Sequence, residues 1–104
     1  KREDMDLKTE IEFSKKIFEK IMNIKTLKTK DYGGIRFYDL GLQGFTHDIL
    51  RKTGRLKNLV FINKANHISD LEINFETLED TLFDLINYSF LLLEEIEIQK
   101  GDKQ

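Results

Sequence analysis

Apolar residues recur at helical spacing in three stretches of the chain. Leu7, Ile11, Ile17, Phe18, Ile21, Ile24 and Leu27 predict a first helix over about 4–29. Asp4 or Asp6 stands where a cap is needed, and Lys25, Lys28 and Lys30 suit the C-terminal end of its dipole. Ile49, Leu56, Leu59 and Val60, with Asn63, share one side of a second helix over about 46–64. Lys52 falls at the edge of that side and Arg55 next to it. Gly54 interrupts this helix at a cost of about 1 kcal/mol relative to Ala, unless it serves a close helix approach. The third stretch, about 75–98, is the longest, near 36 Å at 1.5 Å per residue. Leu78, Leu82, Leu85, Ile86, Leu92, Leu93 and Ile96 form its expected packed side. Glu76, Asp80, Asp84 and Asn87 lie within roughly a quarter of the circumference on the other side, flanked by Phe83, Phe90 and Leu91.

Between these stretches the pattern breaks. Gly33, Gly34, Gly41 and Gly44 mark residues 30–44 as a loop. Tyr32, Phe37 and Tyr38 either line a base or sugar pocket or plug the end of a bundle. Residues 65–74 read as a connector, with Ser69 and Glu72 in capping-box spacing and Asn74 placed to cap the third helix.

The expected fold is all-α: one helical domain over 1–104, three main helices in a bundle. From Ser89 onward the third helix is apolar around most of its girth, more than one three-helix chain can cover. A homo-oligomer in which this segment packs against its symmetry mate is therefore expected. Composition agrees with this: 35% charged, 39% hydrophobic, no Pro to break long helices. The absence of Cys removes disulfides and thiolate chemistry and fits a reducing cytoplasm. With no run of 18 apolar residues and no signal peptide, no membrane partner is expected and the location is expected to be cytoplasmic.

Net charge is only −2, but it is unevenly placed. Residues 1–64 hold fifteen of the seventeen basic residues, and residues 65–99 hold none against nine acids. No uniformly basic surface results, so direct nucleic-acid binding is disfavoured. A basic front and an acidic rear can instead neutralise each other or surround a phosphate and its metal. Three readings of Glu76, Asp80 and Asp84 stay open. They form a solvated face, a salt-bridge network with Lys52, Arg55 or Lys57, or a site for hard Mg²⁺, which takes carboxylate oxygens and borrows phosphate oxygens from its ligand. Lys52 and Arg55 carry the same ambiguity, between ion pairing and phosphate binding. His47 and His67 lack metal-ligand spacing and read as surface or capping residues.

Taken together, Lys30-Asp31-Tyr32-Gly33, Gly41 and Gly44, Lys52-x-x-Arg55-Leu56-x-Asn58-Leu59, and Glu76-x-x-x-Asp80-Thr81-Leu82-x-Asp84-Leu85-x-Asn87-Tyr88 resemble the phage and bacterial nucleotide modification associated domain family. The similarity spans about residues 15–95, and the last motif is the most specific. More distantly, the chain is similar to the all-α nucleoside-triphosphate pyrophosphatases of the MazG and dimeric dUTPase type. The resemblance implies a phage-type nucleotide-binding protein of nucleotide metabolism, working in the host cytoplasm, with hydrolysis of a nucleoside triphosphate at Mg²⁺ as its finer form. It implies metal-side carboxylates at Glu76, Asp80 and Asp84, with Asp84 and Glu76 catalytic. Phosphate contacts would come from Lys52 and Arg55, pocket closure from Asp31 and Tyr32, and orientation of a carboxylate or water from Asn87. One departure stands out. Those pyrophosphatases carry a Glu-x-x-Glu pair on an earlier helix, and residues 1–64 hold none: Glu10 and Glu12 have the wrong spacing and Glu19 is alone. Alternatives from other classes are a protein that sequesters a nucleotide or signalling nucleotide without cleaving it, and a structural helical oligomer.

Overall fold

The computed structural model describes residues 5–32, 41–71 and 75–102, with side chains at 5–30, 41–71 and 77–101. The described elements are all helical: α1 (Leu7–Tyr32), α2 (Gly41–Lys57) continued by a π-helical turn (Asn58–Ile62), the short α3 (Ile68–Leu71), and α4 (Phe75–Asp102). The all-α class expected from periodicity is found. The chain divides into two compact units, Lys1–Phe37 and Tyr38–Gln104.

The first unit is α1. Asp6 caps it, accepting a hydrogen bond from Thr9 N at 2.8 Å through Oδ1. The helix runs to Tyr32, beyond the expected end near 29. Thr26 and Thr29 are poor helix formers, but each turns its hydroxyl onto the carbonyl one turn back, Met22 O at 2.8 Å and Lys25 O at 2.9 Å. Leu7, Ile11, Phe13, Ile17, Phe18 and Leu27 are exposed, and Ile21 is buried.

In the second unit, α2 packs on α4. The start of α2 corrects the expected loop: Gly41 and Gly44 are helical residues. Helical spacing already runs through Leu42, Phe45, Ile49 and Leu56, and Phe45, 1% exposed, anchors the first turns. Burying one such ring stabilises by about 1.5–3 kcal/mol, more than a glycine in a helix costs. Thr46, expected near the helix start, is interior and donates to Leu42 O at 2.7 Å. Gly41 has φ +68°, a conformation that glycine adopts without strain.

The π turn closes in a Schellman motif: Ala65 N donates to Val60 O at 2.9 Å and Lys64 N to Phe61 O at 3.1 Å. The position that normally carries glycine is Lys64, at φ 51°. Gly54 is exposed, and a Cβ there would meet nothing within 4 Å, so it serves no close approach. Lys64→Gly and Gly54→Ala are each expected to raise unfolding free energy by about 1 kcal/mol, the first by relieving left-handed strain and the second through helix propensity. Urea denaturation of the two variants checks both.

Of the expected Ser69–Glu72 capping box, Ser69 lies within α3 and Glu72 falls outside the described residues. Asp70, third residue of α3, reaches back to accept from Asn66 N and His67 N, both at 3.0 Å. Asn74 likewise lies outside the described residues. These backbone donors, Asn66 first, hold the Asp70 carboxyl below its ordinary 3.8. A carboxyl lowered by folding stabilises the fold fully above 3.8, and that contribution is lost as pH falls through the lower folded-state value. Amide exchange at Asn66 and His67 is therefore expected to accelerate, relative to intrinsic rates, only on acidification below about pH 4. Asp70→Ala should remove that transition.

Candidate functional site

The side of α4 that meets α2 is not the side with the most leucines. Thr81, Leu91 and Glu95 are buried, and Asp84 and Tyr88 are half-buried. The spacing 81, 84, 88, 91, 95 alternates steps of three and four, a coiled-coil seam. On α2 the matching positions are Phe45, Ile49, Lys52 and Leu56. Lys52 Nζ meets Asp84 Oδ2 at 2.8 Å. Phe45 lies seven residues before Lys52 and Leu91 seven after Asp84, and both are buried. This is the symmetry expected of two antiparallel helices sharing one seam through a compact connection.

The expected packed side is corrected in part. Leu82, Leu93 and Ile96 are exposed, while Leu78, Leu85, Ile86 and Leu92 are half-buried. Apolar counting missed the seam because its polar members are satisfied locally. Thr81 Oγ1 donates to Thr77 O at 2.7 Å, Gln99 Nε2 donates to Glu95 Oε2 at 2.9 Å, and Asp84 has Lys52. Thr81 and Glu95 are the seam residues that the sequence reading passed over, and their heptad spacing with Asp84 was the available signal. The same Gln99–Glu95 contact, with Lys100 Nζ on Glu97 Oε1 at 3.4 Å, accompanies α4 past its expected end to Asp102.

Among the sequence-derived site residues, Lys52 and Asp84 are brought together, with side chains 16% and 27% exposed. Such a pair is only partly desolvated. Asn87, three residues on, is half-buried, and its Oδ1 is buried with no hydrogen-bond partner. An acceptor in that state costs about 1–3 kcal/mol until a donor reaches it. Asp80, one turn before Asp84, is exposed, as is Arg55, one turn after Lys52. The side chains of Glu76, Asp31 and Tyr32 lie outside the described residues, although their backbones belong to α4 and α1. His47 and His67 are exposed.

Among the described residues no three His, Cys, Asp or Glu side chains stand close enough to hold a metal ion. Asp80 and Asp84 alone supply two carboxylates one turn apart, fewer than a protein cage needs but compatible with a divalent ion that keeps waters and phosphate oxygens. No described helix is long and apolar enough to cross a membrane. Comparison with protein-family models, curated proteins and solved structures finds no match.

Proposed function

We propose that this chain is a nucleotide-binding helical protein whose phosphate-side contacts come from the α2–α4 seam. One observation carries this: Lys52 pairs with Asp84 across the seam, and three residues on from Asp84 the Asn87 oxygen is buried without a hydrogen-bond partner. A Mg²⁺–nucleotide complex offers each of these groups a partner, a phosphate for Lys52, a cation for Asp84, and a donor from sugar, base or metal-bound water for Asn87. Arg55 adds a second cation from the exposed side of α2. In the finer reading, a phage-type pyrophosphohydrolase, water attacks the phosphoanhydride of the bound nucleotide while the cation neutralises developing charge. The resemblance of the Glu76–Tyr88 motif supports this form, and the missing Glu-x-x-Glu pair counts against cleavage by one chain alone. A homo-oligomer, in which another copy completes the site, belongs to the same proposal.

A second reading has its own support. The 2.8 Å Lys52–Asp84 contact is also what a purely structural ion pair looks like. A thermal-shift panel of nucleoside mono-, di- and triphosphates, with and without Mg²⁺, separates the two. Nucleotide binding raises the melting temperature in a concentration-dependent way, whereas a structural oligomer responds to none. Release of pyrophosphate from a nucleotide that shifts the melt distinguishes a hydrolase from a sequestering protein.

Asn87→Leu gives a sharper internal check. Removing a buried, unpaired acceptor is expected to raise stability by about 1 kcal/mol while weakening any nucleotide-dependent thermal shift. A variant that loses stability instead would show that the Asn87 amide is engaged in the fold.

A further inference from the structure

We draw no further inference here: the strongest candidate, the exposed apolar patch of Leu50, Phe61 and Ile62 on the side of α2 and its π turn away from the seam, with exposed Lys57 among them, is an unpartnered helix face, and nothing in the structure shows what covers it.

Discussion

Phe45→Ala is expected to destabilise the second unit by about 3–5 kcal/mol, the largest effect of any single substitution considered. Phe45 is the most completely buried aromatic ring among the described residues, and the second unit's other buried apolar residues among them are few: Leu71 and Leu91. A domain of this size has about 5–15 kcal/mol of stability, so the variant stands near the edge of unfolding. Truncation removes the buried ring at the glycine-containing start of α2. Helix content by circular dichroism should fall at low denaturant, with residues 41–57 losing amide protection before α4 does. Phe45→Leu keeps most of the volume and should cost less than half as much.

The second large effect is expected at the ion pair. Asp84→Ala leaves Lys52 in a position only 16% exposed with its 2.8 Å partner removed. The cost lies between that of an exposed pair, up to about 1 kcal/mol, and that of a buried one, about 3–5 kcal/mol, so about 1–2 kcal/mol is expected. In a double-mutant cycle with Lys52→Met, about 1 kcal/mol of coupling should appear in urea midpoints, because the two groups touch. The same variant reports on ligand chemistry. With Asp84 gone, Lys52 is released to phosphate, so Mg²⁺-free nucleotide should bind better and the Mg²⁺ dependence should vanish. A structural pair would show the stability loss alone.

Legibility followed whether a residue's role depended on its local spacing or on its long-range partner. Leu7 to Leu27 and Leu78 to Ile96 announced helices because periodicity is local, and the all-α class followed from them. The start of α2 was hidden because Gly41 and Gly44 read as loop punctuation, while the burial of Phe45 that outweighs them is a tertiary fact. The seam of α4 was misplaced for a related reason. Hydrophobicity ranks Leu82 and Leu93 above Thr81 and Glu95, yet Thr81 and Glu95 are buried because their polar atoms are satisfied one turn away. The candidate site was half legible. Lys52 and Asp84 were both marked by charge and spacing, and of the readings open for them the 2.8 Å contact shows the ion pair. Nothing in the spacing indicated that the Asn87 oxygen would be buried without a donor.

The buried acceptor also bears on why the seam is polar at all. Leu or Ile at 52 and 84 on the seam, and at 87 beside it, would hold the helices without a charge pair, since well-packed apolar residues often replace ion pairs held away from water without loss. Under the proposed function, a charge pair and, three residues on, an amide oxygen without a partner are a local cost of a surface that serves binding as well as folding.

Nucleotide titration followed by backbone and side-chain amide shifts tests the central claim most directly. With a nucleoside triphosphate and Mg²⁺, the account predicts saturable shifts concentrated at Lys52, Arg55, Asp84 and the Asn87 side-chain amide, with Leu50 and Phe61 on the far side of α2 unmoved. Flat spectra across every nucleotide, or shifts centred away from the seam, would contradict it and leave the Lys52–Asp84 contact as a structural ion pair.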